Sequence, residues 1–347
     1  MIDLFTPIVT DDRLHPNFRS CLLPLYEADR AVVRDWAEGF QDRDGKFVEE
    51  FQTTFNSCFW ELYLFAILKR YNLAVDWNLS SPDFVIRTPN ANFCIEATTA
   101  NAAEKKPNEW DRVLTPETVA AMDLDALNHE AIIRLSNALH AKHRAYLSTY
   151  SKMPQVQGQP FVTAIAPFEQ PFFNMQYDRP IRALLYDYYV DEKTYLANPT
   201  MYPQGPPVRR LGHVFKDNGA PIPLGLFNGD AMKEISAVIF SCTATWGKVR
   251  ALCAAQNAAA IYFDVLRSDG PNGEPIPSRS PKSGYRETLE DGLQVFHNPY
   301  AVFSLDPAIL RSSGVVQHYA DRSDGSWVYE GRCKSLLWRQ VWTFTAR

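Results

Sequence analysis

The feature that most constrains this chain is a single acid in its most apolar segment. Between Phe59 and Leu68, every residue except Glu61 is aliphatic or aromatic. Helical spacing places Leu64, Phe65 and Leu68 on the face that carries Glu61, with Cys58 beside them. A carboxylate centred on a core-facing stripe is costly unless it is paired, protonated or bound to a metal ion. The segment therefore predicts a helix through the interior of a globular fold, with something beside Glu61 to compensate its burial. Glu61 and Lys69 also interrupt the run that comes nearest to membrane-spanning length, so no membrane helix is expected.

Two further acids lie on apolar strands a short way downstream. Asp83 follows Pro82 and opens a strand through Phe84 and Ile86, and Glu96 sits within the strand Asn92 to Thr99. The turn Thr88–Ala91 joins the two as an antiparallel hairpin. Side chains alternate across a strand, so Cys94, Glu96 and Thr98 share one face and Phe93, Ile95 and Ala97 the other. The hairpin can bring Asp83 and Glu96 together at one end, and Glu61 joins them if its helix packs on that face. Carboxylates that converge repel one another and stay ionised together only around a cation. Oxygen donors without a Cys or His cluster favour Mg2+ or Mn2+ over zinc. Such an ion activates water and stabilises charge on a phosphodiester.

At 347 residues and 46% hydrophobic content, the chain can bury a sizeable core. A formal net charge of −5 argues against a generally basic nucleic-acid coat but leaves room for a local basic cleft. Cys21, Cys58, Cys94, Cys242, Cys253 and Cys333 are scattered, with no C-x-x-C pair, so neither a zinc site nor a disulfide framework is expected. The N-terminal residues lack a basic stretch followed by an apolar one, and a cytoplasmic protein with reduced thiols is the expectation.

Residues 1–50 read as an N-terminal helical extension. The Glu61 helix is expected to be capped by Asn56 or Ser57 and to end near Tyr71. A short strand is expected over Leu73–Trp77 and a polar loop over 105–118. A long helix should run from Asp125 to Thr149, and a buried strand over Phe161–Ala166. A helix follows over Arg179–Val190, then an irregular Pro-rich stretch from Asn198 to Arg210. Strands are expected at Ile235–Phe240 and 259–263, and a loop over Ser268–Ser283. This order predicts an α/β fold with a mixed central sheet flanked by helices: a core over 51–195, and a C-terminal α/β extension, 196–347, packed upon it.

Glu61 on a first helix, Pro82-Asp83, and Glu96 followed by Thr98 after a hairpin resemble the PD-(D/E)xK nuclease superfamily, the fold of restriction endonucleases. The order of elements from about residue 55 to 166 is similar to that superfamily's common core. The resemblance implies metal-dependent phosphodiester hydrolysis of nucleic acid, DNA before RNA. Asp83, Glu96 and Glu61 would then hold the ion. It also exposes a departure: the pattern puts Lys two residues after the Glu, and here that residue is Thr98. A replacement is available on the long helix. Ile132, Leu135, Leu139 and Tyr146 form its apolar stripe, Lys142 falls in the centre of that stripe, and Arg134 at its edge. Lys142 is expected to take the place of the missing lysine, with Thr98 and Arg134 contacting substrate.

Other readings stand beside these. Glu61 and Lys142 could form a buried structural ion pair, or Lys142 could extend its ammonium to water. Asp83 after a proline is a common turn residue. His140 and His143 are spaced as ligands on one helix face can be, but no acid or Cys completes a zinc set, so a surface pair is expected. Trp246-Gly247-Lys248 lacks the upstream glycine of a phosphate loop. Arg279, Lys282 and Arg286 read as a solvated loop. The alternative function is a catalytically inactive protein of the same fold that binds nucleic acid or a protein partner. A homodimer is compatible with either.

Overall fold

The computed structural model describes residues 2–104, 106–112, 115, 117–118, 121–255, 260–268 and 275–344. At its centre lies a seven-stranded sheet in the order Phe84–Thr88, Ala91–Thr99, Phe161–Ala166, Ala237–Phe240, Leu293–His297, Val315–Ala320 and Trp327–Glu330. The first pair is antiparallel, the next two are parallel, and the remaining three are antiparallel, parallel and antiparallel. The molecule is thus α/β with a mixed central sheet flanked by helices. Strands from both sides of residue 196 share this one sheet. The strand Phe161–Ala166 is buried at every position, because both faces of the sheet are covered there, and it accordingly reads as an apolar run interrupted only by Thr163.

The helix bearing Glu61 spans Phe55–Arg70. From Phe55 to Leu68 it is buried everywhere except at Ser57 and Glu61, one turn apart. It is therefore a core helix packed on all sides, and its one opening is where the acid stands. Trp60 Nε1 donates to Ala164 O at 3.1 Å and Tyr63 OH to Leu289 O at 2.9 Å, which fixes the helix against the sheet and the C-terminal half. The helix begins one residue before the expected caps. Thr54 holds the N-cap position without a side-chain bond. Asn56 lies inside the helix because its amide is used in tertiary bonds, to Asn17 at 3.0 Å and Glu169 at 2.9 Å.

The long helix spans Leu124–Ser148 and is capped by the Asp123 carboxylate, which accepts from Ala126 N at 3.0 Å. Ile132, Leu135 and Leu139 are buried, and Tyr146 packs edge-on against Phe161 with ring centres 4.8 Å apart. Three short helices, Pro16–Cys21, Glu27–Trp36 and Phe47–Thr53, form the N-terminal extension. Fully buried Gln52 ties the leading segment to them, donating to Thr6 O at 2.8 Å and accepting from Ile8 N at 2.9 Å.

Three expectations need correction. The segment Leu73–Trp77 makes a single bridge, Val75 to Ile86, and no strand. The helix expected to reach Val190 stops at Tyr186, where Asp187 turns left-handed (φ 51°) and accepts from the backbone of Leu211 and Gly212. Tyr189–Val190 then pairs with Val208–Arg209. The region expected as a loop from Ser268 contains the strand Pro275–Pro281, an edge of a second, three-stranded sheet with Ala260–Ser268 and Leu336–Phe344; residues 269–274 lie outside the described residues. Pro275, Pro277 and Pro281 fall at alternate positions, so their missing N–H groups coincide with the unpaired side of an edge strand. Among the described residues all six cysteines are free, and no helix is long and apolar enough to cross a membrane.

Candidate active site

The first hairpin pairs Phe84 with Ile95. One step further along the same register, Asp83 stands opposite Glu96, and its Oδ2 accepts from Ala97 N at 2.7 Å. Glu96 is 4% exposed. Its Oε1 accepts from Lys142 Nζ at 2.7 Å and from Tyr150 OH at 2.9 Å. A cleft of about 440 Å3 opens over this point, and Glu61, Asp83, Thr98, Arg134 and Lys142 all line it. The Glu61 helix, the hairpin and the long helix thus deliver to one cleft five of the six residues singled out in the sequence, with the sixth, Glu96, beneath it.

The charges in the cleft do not balance. Burial, then the charges of Asp83 and Glu96, push the Glu61 carboxyl well above its ordinary pKa, and Arg43 and Lys142 oppose this only in part. Burial and Glu96 push Asp83 up to about 6, against the Ala97 N–H bond, Lys142 and Arg43. Burial and the contact with Glu96 likewise raise the Tyr150 phenol, which stays a donor. Among the described residues Glu61 has neither an ion pair nor a hydrogen-bond partner. The ion pair between Glu61 and Lys142 does not form, since Lys142 reaches Glu96 instead. Its ammonium ends on Glu96 at the wall of the cleft, with the Lys142 side chain 25% exposed.

Thr98 faces the cleft but donates only to the neighbouring Thr99 O, at 3.4 Å. Arg134 Nε donates to Asn101 O at 2.7 Å and so holds the chain as it leaves the second hairpin strand. His143 pairs with Glu234 at 2.9 Å, and among the described residues they belong to no group of three that could hold a metal ion. Arg279 is committed to Asp264 in the second sheet. Two participants were not read from the sequence. Tyr150 follows Lys142 and Tyr146 at intervals of four, so extending the helical projection past the helix end would have found it. Arg43 comes from the N-terminal extension and donates to Leu79 O at 2.6 Å, steadying the approach to Asp83; nothing in the sequence marks it.

Among the described residues no three Asp, Glu, His or Cys side chains gather closely enough to hold one ion together. Two carboxylates completed by water are nevertheless a donor set that suits magnesium, which keeps several of its waters. Asp83 has one oxygen free of the Ala97 bond, and the second oxygen of Glu96 is free of Lys142 and Tyr150. Comparison of the chain with protein-family models, with curated proteins and with solved structures finds no match.

Proposed function

We propose that this cleft hydrolyses phosphodiester bonds in nucleic acid, in the manner of a restriction endonuclease-like, PD-(D/E)xK site. One observation carries the reading: three carboxylates from a helix and a hairpin converge in one cleft with a lysine seated on the central one. Asp83 and Glu96 would hold Mg2+ or Mn2+, with Glu61 reaching it through water. When bound, that ion supplies Lewis-acid activation of water and charge stabilisation at the phosphorus. Glu61, unpartnered and with its carboxyl pushed well above its ordinary pKa by burial and by the charges of Asp83 and Glu96, is placed to take the proton of the attacking water. Lys142 fixes the orientation of Glu96 and places a positive charge where negative charge builds up in the transition state. Tyr150 holds the same oxygen of Glu96 and limits its rotation. Thr98 and Arg134 shape the wall against which substrate lies.

The test is a cleavage assay over single- and double-stranded DNA and RNA with Mg2+ or with EDTA. Asp83→Ala and Glu96→Ala should abolish Mg2+-dependent cleavage while leaving the circular dichroism spectrum unchanged. Lys142→Met should lower the rate by roughly 100- to 1000-fold, the scale of losing one pre-placed charge-stabilising donor. Undiminished cleavage in the two carboxylate variants overturns the assignment.

Two observations favour a second reading, a non-catalytic protein of this fold that binds nucleic acid or a protein. Thr98 stands where the resemblance calls for lysine, and no three-ligand metal group is present among the described residues. Binding without cleavage under any divalent ion would establish it.

A further inference from the structure

Beside the cleft lies a surface that the chemistry above does not use. Asn137, His140 and Arg144 follow one another at helical spacing on the long helix, and Asn137 lines the cleft. A short hairpin, His213–Phe215 with Pro221–Pro223, rests against this row, and Lys216 Nζ donates to Asn137 Oδ1 at 3.2 Å. Burial, and with it the charges of Arg144 and Lys216, hold the His140 imidazole below its ordinary pKa. Of the nearby acids, Glu234 is engaged with His143 at 2.9 Å and Glu130 with Lys106 at 2.6 Å, while Asp217, beside Lys216 in the turn and 88% exposed, turns to Lys106 at 3.9 Å. Among the described residues neither Arg144 nor Lys216 forms an ion pair. Two cations that no carboxylate engages, on a protein of net charge −5, leave a place where an anion can be held.

The hairpin adds a second, independent feature. Val214 is buried, so His213 and Phe215 stand on the opposite, solvent side. Phe215 is 52% exposed, and its ring meets His213 edge-on at 4.7 Å. The turn beneath is tight: Lys216 N donates to Ala220 O, Gly219 N donates to Lys216 O, and Gly219 takes a left-handed φ of 78°. This rigid support holds an aromatic face in water, next in sequence to the Lys216 ammonium.

We propose that this hairpin and the Asn137–Arg144 row form a track for single-stranded nucleic acid leading to the cleft, with Phe215 and His213 stacking on unpaired bases and Lys216 and Arg144 on neighbouring phosphates. The inference rests on the nucleic-acid reading of the cleft and narrows it to unpaired substrate. Bases in a duplex are stacked on one another, so an exposed ring finds a stacking partner only where a base is free. The row from Asn137 to Arg144 extends about 10 Å along the helix, enough for adjacent phosphates.

The test separates binding from turnover. Fluorescence anisotropy in EDTA compares a labelled single-stranded DNA, the RNA of the same sequence and the DNA duplex, at rising salt. The single strands should bind more tightly than the duplex, and the DNA and RNA arms decide the sugar. Phe215→Ala should weaken single-strand binding roughly tenfold. The double variant Lys216→Ala, Arg144→Ala should flatten the log–log salt dependence by about 1.4, at about 0.7 for each phosphate no longer neutralised. Both sets of side chains are at the surface, and unchanged melting temperatures check that the variants fold. Equal affinity for duplex and single strand, or full affinity in both variants, overturns the track, as does a wild type that binds no strand. If the wild type cleaves while these variants bind normally, hydrolysis stands and the track falls. If it binds single strands through these residues but cleaves none with Mg2+, the track stands and hydrolysis falls.

Discussion

Two clusters of buried charge, at opposite ends of the chain, carry opposite electrostatic signatures. At the cleft, Glu61, Asp83 and Glu96 repel one another, and of the three only Glu96 has a cation at contact distance, Lys142 at 2.7 Å. Around Glu287, one carboxylate faces two cations, and all three side chains are essentially fully buried. Lys248 Nζ donates to Glu287 Oε1 at 2.6 Å, to Thr288 O and to Asp291 O; Arg339 donates to Glu287, Thr243 O and Thr245 Oγ1; Tyr285 OH donates to Glu287 Oε2 at 2.6 Å. Burial alone would raise the Glu287 carboxyl, but Arg339 and Lys248 outweigh it and hold it down to about 2. Burial acts in the same direction on Asp83, where neighbouring acid adds to it and the carboxyl rises to about 6. Depth therefore does not distinguish the two clusters; charge balance does. A structural cluster is neutralised by its own members, whereas the cleft holds repulsion that an external cation or a proton must relieve.

The sharpest way to break this contrast is to remove the balanced acid. Glu287→Gln leaves Lys248 and Arg339 as uncompensated buried cations and should cost about 3–5 kcal/mol, read as a lower midpoint in urea denaturation. In the wild type, the stabilisation from Glu287 is fully present above its ordinary carboxylate range and is lost as pH falls toward about 2. The opposite sign is expected in the cleft. Asp83→Asn keeps an acceptor for Ala97 N–H but removes one of the repelling charges. Without divalent ions at neutral pH it should raise stability by about 2 kcal/mol, measured in the same urea titration. A fall in stability on Asp83→Asn would mean that the cleft, like the Glu287 cluster, is built for the fold.

The two clusters were not equally legible. Glu61, Glu96 and Lys142 stood out because each interrupts an apolar pattern of known period. Asp83 followed from the hairpin register, which the turn at Thr88–Ala91 sets. Four of the seven strands of the central sheet were recognisable for the same reason, as short apolar runs; Leu293–His297, Val315–Ala320 and Trp327–Glu330 were not, because buried Gln294, Gln317 and His318 interrupt the first two and the third is half-exposed. The Glu287 network left no such mark. Glu287 lies in a polar stretch after Tyr285 and Arg286, and its partners are far apart in sequence, at Lys248 and Arg339. No periodicity links residues that meet only through tertiary packing. Pro275–Pro281 was missed because proline signals loop everywhere except at a sheet edge, and edge position is a property of the whole sheet. Arg43 was invisible for the reason that hid Glu287: its contribution is a long-range bond to the backbone at Leu79.

The smallest expected effect is also the most direct test of whether the cleft's imbalance is meant for a cation. Asp83 has its folded pKa raised from 3.8 to about 6, so in the absence of metal the ionised form costs stability. That cost is absent below the ordinary carboxylate pKa and grows as pH rises through about 6. The melting temperature without divalent ions should therefore fall across this window in the wild type, and fall less in Asp83→Asn. Mg2+ competes with protons for the same oxygens, so it should act only where they are ionised. At about pH 8, an ion present at ten times its dissociation constant adds roughly 1.4 kcal/mol, a rise of a few degrees by differential scanning fluorimetry. At about pH 4 the same addition should do nothing, and the double variant Asp83→Asn, Glu96→Gln should be indifferent at both pH values. The Glu287 cluster provides the internal control: Glu287→Gln, though less stable throughout, should keep the full Mg2+ response. A wild type whose melting temperature ignores Mg2+ at about pH 8 would make the cleft's repulsion a feature that protons alone relieve.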